Sequence, residues 1–212
     1  MARKNYHHGD LKNALIQAGI EILAEEGLGG LSLRKTARRA GVSHAAPYAH
    51  FADKQNLIAA IASDGHKRIF EQFEAIQLRY ADDPLRQFLN GAWAYMQFGL
   101  ESPDHYKIIF SGAIQDEHSH PEFLEFSQRN MQALRNIVER CRSAGVLSAE
   151  HSDPEMQAVS LWSLLHGLVS LLIQGQLPGR LMDAVHPEDM LIAALQQVVK
   201  VPIHKKMLDQ KE

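Results

Sequence analysis

Between Ser32 and Leu57 the chain gathers small polar, aromatic and basic side chains at helical spacing. Such side chains can touch bases and phosphates. Ser32 to Ala40 reads as a short helix with Ser32 as its N-cap, and Gly41-Val42 as a turn. Gly41 supplies the positive φ the turn needs, and Val42 is an apolar pin between helices. His44-Ala45-Ala46-Pro47-Tyr48-Ala49-His50 reads as a second short helix capped by Ser43. Small residues on its leading turn let a backbone approach the floor of the major groove, while Ser, His and Tyr donate to base edges or phosphates. Pro47 removes one early helical hydrogen bond, which a helix tolerates near its start. Spacing alone leaves a second reading open, a helical hairpin on an ordinary bundle with a solvated basic face.

The rest of the chain offers no comparable chemistry. No Ser/His/Asp or Cys/His arrangement follows from spacing and no HExxH is present, so no catalytic residue is predicted. Glu26-Gly27-Leu28-Gly29-Gly30 lacks the Gly-Lys-Ser/Thr of a phosphate loop and reads as a helix stop and turn. His118-x-His120, with Glu117 and Glu122 nearby, has no further ligand at a defined spacing and reads as solvated surface. Neither a metal nor a cofactor is expected.

These residues sit in a chain of 212 residues with net charge −3, 45% hydrophobic and 22% charged. That composition describes a soluble globular protein, not a disordered one. The average hides a split: up to Lys54 there are eight Lys+Arg against five Asp+Glu, or +3, leaving −6 for the remainder. Such asymmetry points to a basic module that meets an anion, carried on a larger body that does not. The single cysteine, Cys141, excludes a disulfide framework and a multi-Cys zinc site, and a reducing cytoplasm fits. No apolar segment follows Met1 to His8, so no secretory signal is expected. The longest apolar stretch, Ala158 to Ile173, falls short of the ~20 residues of a membrane span.

The pattern predicts an all-α fold of about nine helices. Leu11, Leu15, Ala18, Ile22 and Leu23 mark one face of a first helix that starts near Asp10 and ends at Gly27. Asp53 caps a longer helix beginning near Lys54. Downstream, Pro84, Pro103, Pro121, Pro154 and Pro187 each stand where a first helical residue has no hydrogen bond to lose, and in four of the five an acid follows. Gly112 to Ser119 and Gly175 to Val185 read as loops. The helix after Pro154 is apolar nearly all round: Ala158, Leu161, Leu165, Leu168 and Leu172 form one stripe, and Val159, Trp162, His166, Val169 and Ile173 another. Ser160, Ser163, Gly167 and Ser170 make a third, narrow stripe of small residues. A helix without a wet face is buried at the centre of its domain or against a partner.

The run Gly41-Val42-Ser43-x4-Tyr48-x-His50-Phe51-x2-Lys54-x2-Leu57 resembles the DNA-binding signature of the TetR family of bacterial transcriptional regulators. Tyr6-His7-His8-Gly9-Asp10-Leu11 and Trp162-x3-His166-Gly167 resemble a subgroup with a Trp/His-Gly motif in its C-terminal domain. The resemblance implies a DNA-binding helix-turn-helix domain at 1–53, a ligand-binding and dimerisation domain at 54–212, a homodimer, and a non-enzymatic, cytoplasmic regulator. It implies base contacts from Ser43, His44, Ala45 and Ala46. Phosphate contacts are implied for Ser32, Tyr48, His50 and Lys54, with Arg3 and Lys4 as an arm. Two residues depart from the family pattern: Thr36 stands where an apolar residue is usual, and Ala49 where a basic one is common. The implied partners are a palindromic double-stranded operator, a small apolar effector and a second copy of the chain; no membrane is involved. The dimer seam would combine the helix after Pro154 with a last helix carrying Leu191, Ala194, Leu195 and Val198.

Aromatic and thioether side chains concentrate in the body, at Trp93, Tyr95, Met96, Phe98, Tyr106, Phe110, Phe123, Phe126, Met131 and Trp162. Trp93, Met96, Tyr106, Phe110, Phe126, Trp162 and His166 are the candidate effector pocket, with His105 and Gln97 as further polar groups. His166 reads first as a hydrogen-bonded core histidine. An enzyme reusing a bundle cavity, for which no sequence feature asks, and an adaptor that binds another protein remain alternatives.

Overall fold

In the computed structural model, which describes residues 8–148 and 153–209, nine α-helices account for most of the chain. They are α1 (His8–Gly30), α2 (Leu33–Arg39), α3 (Lys54–Arg79), α4 (Pro84–Glu101), α5 (Pro103–Ile109), α6 (Pro121–Ser143), α7 (Pro154–Ile173), α8 (Gly179–Ala184) and α9 (Pro187–Leu195). Single 3-10 turns occur at Ala46–Ala49, Glu117–Ser119 and Lys205–Met207, and no strand occurs among the described residues. All five proline-marked starts are helix starts. At Pro84 and Pro154 the preceding aspartate completes the cap: Asp83 accepts from the Arg86 N–H at 3.0 Å and Asp153 from the Glu155 N–H at 2.8 Å.

The chain divides into two compact units. The first takes residues up to His66 together with Asp104–Phe126. Its core is the expected face of α1 (Leu15, Ala18, Ile22 and Leu23, with Leu11 half-buried) joined by Leu31, Leu33, Ala37, Phe51, Leu57, Ile58 and Ile61. Gly27 breaks the helical geometry of α1 with φ 67°, so the predicted stop is a kink. The start of α5 packs closely on α3: buried His105 bonds the Ile61 carbonyl through Nε2 at 2.6 Å. A Cβ at Gly65 would stand 2.9 Å from that nitrogen, so only glycine leaves the ring room. His66 is buried edge-on between Phe123 and Phe110, with ring centroids 5.2 and 5.9 Å away.

The second unit takes Lys67–Pro103 and residues from Ser127 on. In it α4 packs against α7 and α9, and against the 3-10 turn at Lys205–Met207. Residues Ile203 to Asp209 lie along α4 as a strap. Buried Asn90 donates to the Met207 carbonyl at 3.1 Å and accepts from the Asp209 N–H at 2.6 Å, while Trp93 Nε1 donates to the Asp209 carbonyl at 3.2 Å. Tyr80 and Arg79 close on the Asp209 carboxylate at 2.5 and 3.2 Å. Lys200 N–H donates to the Val146 carbonyl and Ser148 N–H to the Val198 carbonyl, on either side of an isolated bridge from Leu147 to Val199.

Two expectations change. The stretch read as a loop from Gly175 to Val185 contains the short α8, which compensates in the helix count for a segment between α2 and α3 that is not an α-helix. Further, α7 runs 20 residues and is long and apolar enough, by length and composition, to cross a membrane. The shortfall inferred for 158–173 therefore does not hold. What marks α7 as a packed helix is its inner stripe: Ala158, Leu161, Leu165, Val169 and Leu172 are buried, with Val169 in the place expected of Leu168. Its other side is open, with Met156 62%, Leu171 39% and Val159 38% exposed beside exposed Ser160 and Ser163.

Burial, and secondarily the nearby His105, lowers the His66 pKa to about 4. The unfolded chain therefore binds a proton that the folded chain refuses between about pH 6.5 and 4. The stability due to a neutral His66 is complete above pH 6.5 and is lost as pH falls towards 4. Urea unfolding across this range should show a falling midpoint, and His66→Phe should flatten that fall; an unchanged slope in the variant would contradict it.

Candidate nucleic-acid interface

The site begins with how α2 starts and stops. Ser32 Oγ caps the helix by accepting from the Lys35 N–H at 3.3 Å. Thr36 is fully buried, and its hydroxyl donates to the Ser32 carbonyl at 2.9 Å. The polar atom is satisfied locally, so a position that usually packs an apolar residue holds threonine without an orphaned hydroxyl. At the other end Gly41, at φ 69°, donates to the Arg38 carbonyl, and Val42 to the Ala37 carbonyl at 3.0 Å. This pair of bonds is a Schellman stop, and it turns the chain sharply away from α2.

The following segment is not the capped α-helix that the sequence predicts over 44–50. It is one 3-10 turn, Ala46–Ala49, with Ala45 at its N-cap and no side-chain cap. Pro47 is the cause. An α-helix starting at Ser43 would need an N–H at residue 47 to reach the Ser43 carbonyl, and proline has none. Ala46 takes that carbonyl instead at 3.0 Å, and Tyr48 takes the Ala45 carbonyl at 3.2 Å, both in the tighter i+3 pattern. The turn is anchored by buried Pro47 and by Phe51, which is 2% exposed. Around these anchors Ser43, His44, Ala45, Tyr48 and Ala49 are exposed and Ala46 is half-buried. The four predicted base-contacting residues, Ser43 to Ala46, therefore form one outward strip with the Tyr48 ring beside it, 55% exposed.

The predicted phosphate contacts are in varied states. Ser32 is exposed but its oxygen serves the cap. Tyr48 is open. His50 is half-buried, with Nε2 enclosed and without a hydrogen-bond partner. Lys54 directs its ammonium to the Leu28 carbonyl at 2.7 Å. Asp53 caps α3 as expected, accepting from the Asn56 N–H at 2.9 Å. Arg3 and Lys4 lie outside the described residues.

Two cations that the motif alone did not single out complete the surface. On α2 the core side is Leu33, Thr36 and Ala37, so Arg34 and Arg38, one turn apart, share a different face. Both are exposed, and neither forms an ion pair among the described residues. The helical period carried this signal. Lys35 and Arg39 share a third face, where both are paired: Lys35 with Glu26, and Arg39 with Glu25 and, at 3.4 Å, Glu21. The Arg39 fork holds the Glu25 carboxyl below its ordinary pKa, and Glu25 in turn raises that of Arg39.

The candidate effector residues fall in both units. Tyr106, Phe110 and Phe126 belong to the first, where the Tyr106 and Phe110 rings meet edge-on at 4.9 Å and Tyr106 is 1% exposed. Trp93, Met96, Trp162 and His166 belong to the second. There, Trp162 Nε1 donates to the Tyr95 hydroxyl at 3.3 Å, and that hydroxyl lies 3.2 Å from His166 Nδ1. The other ring nitrogen, Nε2, lies 3.5 Å from the Ser170 hydroxyl. Burial lowers the His166 pKa, which favours the neutral ring. Trp162 and His166, one turn apart on α7, thus grip a single hydroxyl of α4; sequence reasoning had named Tyr95 only as an aromatic. Gln97 is half-buried, and His105 is committed to Ile61. His118 is exposed beside Asp116, and among the described residues no group of three or more His, Cys, Asp or Glu is placed to hold a metal.

A short helix, a Schellman stop and an exposed, proline-tightened turn beside two exposed arginines are the pattern of the helix-turn-helix class of DNA-binding proteins. Comparison with known proteins gives the family. Residues 88–198 match the tetracyclin repressor-like C-terminal domain, and residues 15–61 match the tetR family of bacterial regulatory proteins. The chain belongs to the TetR family. It is 37% identical over 79 residues to the class A tetracycline repressor of transposon 1721 from Escherichia coli, a match spanning 37% of this chain and 35% of that protein. A protein of unknown function from Rhodococcus sp. RHA1 superposes with TM-score 0.72 at 28% identity, covering 92% of this chain and 96% of the other. The regulator FadR from Bacillus subtilis, solved with stearoyl-CoA, shares the fold at TM-score 0.72 and 14% identity, over 91% of this chain and 99% of its own. The family is one of regulators, not enzymes.

Each free arginine that neutralises one phosphate should add about 0.9 to the salt slope of DNA binding. Arg34→Gln and Arg38→Gln should each weaken binding to all sequences to a similar extent and flatten log K against log salt by about one. Fluorescence anisotropy across salt measures this, and an unchanged slope in both variants would place the phosphate face elsewhere.

Proposed function

We propose that the protein is a dimeric, ligand-released repressor that reads a palindromic operator through the strip Ser43, His44, Ala45, Ala46. The observation that carries this reading is the open side of α7. A soluble chain that leaves Met156, Val159 and Leu171 exposed around Ser160 and Ser163 has a face ready for another helix. The small residues allow close approach, and two copies of one chain meet most simply about a two-fold axis. On α9, Leu191 and Leu195 already pack inward, while Ala194 is half-buried and adjoins the seam. To read successive major grooves, the two strips of such a pair must stand about one DNA turn apart, ~34–36 Å.

In this reading residues 1–53 read DNA and residues 54–212 bind the effector and the second copy, in the cytoplasm. Ser32, Tyr48, His50 and Lys54 contact phosphate, with Arg3 and Lys4 as an arm. The effector is a small, largely apolar molecule, and in the second unit Trp93, Met96, Trp162 and His166 are the residues proposed to hold it. The stearoyl-CoA bound to the structurally similar Bacillus subtilis regulator carries a long apolar chain, in keeping with an apolar element in the effector. Release requires that the effector bind the DNA-incompetent conformation more tightly than the competent one; equal affinity for both would shift nothing.

Sedimentation of the purified protein should give a dimer, and Val159→Glu with Leu171→Glu should give a folded monomer that has lost operator binding at the concentrations where the parent binds. A gel-shift series against the chain's own upstream region should show sequence preference. A monomeric parent, or no preference at any salt, would overturn the reading.

A further inference from the structure

Four of the seven residues of α2 are cationic, and the helix divides them two and two. Arg34 and Arg38 form no ion pair among the described residues. Lys35 and Arg39 lie against the last turns of α1, where Glu21, Glu25 and Glu26 meet them. Arg39 forks onto Glu25 through both terminal nitrogens, with Nη1 2.8 Å from Oε1, and reaches Glu21 as a second acceptor. Three carboxylates thus oppose two cations. The pairs are solvent-accessible, with Glu25 56% and Arg39 29% exposed as side chains, and exposed pairs add little to stability. Folding alone gives a weak reason for so many acids on this face. Their position gives a better one: Lys35, Arg38 and Arg39 line a single open cleft, so the neutralised cations stand beside a free one on the helix that opens the DNA-binding motif.

We infer that Glu21, Glu25 and Glu26 are specificity-determining residues: by holding Lys35 and Arg39 they keep sequence-independent attraction to phosphate low. A cation already paired inside the protein displaces no counterion from DNA and adds nothing to non-specific affinity. In a non-specific complex the protein slides to whichever phosphates suit its cations. In the operator complex, base contacts fix the register, so extra cations gain less there. Every cation freed on α2 therefore narrows the margin between operator and other DNA. The inference rests on DNA binding alone, independent of dimerisation or effector release.

The test is a pair of charge-removing series on the full chain, followed by anisotropy with an operator duplex and a scrambled duplex from 50 to 300 mM salt, with melting temperatures alongside. Glu25→Gln with Glu26→Gln should steepen the salt slope on scrambled DNA by about one to two and raise its affinity roughly five- to tenfold near 0.1 M salt. Operator affinity should rise less, so the specificity ratio falls. Arg39→Gln alone should leave the slope unchanged, and adding it to the glutamate variant should cancel part of the gain. If the glutamate variant leaves slope and ratio unchanged, or lowers both affinities together, the acids are structural ties and the inference fails. A slope reduced by about one in Arg39→Gln would show that Arg39 already meets phosphate, which also overturns it. Should the double variant not fold, Glu25→Gln alone carries the same expectation, and an unchanged slope on scrambled DNA in that variant overturns the inference.

Discussion

Two buried rings, Pro47 and Phe51, fix the segment that follows α2 in the helix-turn-helix motif. Ser43 to Ala49 has too few backbone bonds to hold its own shape: one 3-10 turn, poor in geometry and without a side-chain cap. Its posture comes from burying an apolar ring at each side of Tyr48, with roughly 1.5–3 kcal/mol available from a phenylalanine removed from water. The Schellman stop at Gly41 delivers the chain to that anchor, and the Asp53 cap takes it away into α3. Because the anchors face inward, the small residues between them face out. The same proline that shortens the helix thus determines what it presents.

Much of this was legible in the sequence, for identifiable reasons. The five prolines marked five helix starts because a first-turn position asks nothing of an N–H and proline has none. The α1 face was read correctly because a 3.6-residue period survives any environment that buries one side. The segment 44–50 was misjudged because the cost of Pro47 was counted as one lost bond, whereas the missing N–H would have met the Ser43 carbonyl that starts the helix. Stretch 175–185 was read as loop from its glycines and proline, though Pro178 precedes Gly179–Ala184 and a helix of one and a half turns fits after it. Pairing between helices lay outside any local pattern. Nothing near Arg39 in sequence announces Glu21 and Glu25, and nothing near Tyr95 announces Trp162 and His166.

Charge behaves the same way. A net charge of −3 looks unfavourable for a DNA-binding chain, yet phosphate responds to the local face presented to it. The basic excess of the first 54 residues is itself divided between cations that are free and cations already spent on neighbouring acids. On the proposed reading, a head with two arginines unpaired among the described residues would bind weakly as a single copy, and affinity would depend on two heads acting together. The open side of α7 supplies a surface on which that pairing can form.

The most direct test of the account is a hydroxyl-radical footprint of the protein on its operator at nucleotide resolution. Two symmetric patches of backbone protection, centred about one helical turn apart (~34–36 Å), are the predicted result. A single patch, or protection spread along the duplex without a two-fold centre, would contradict it.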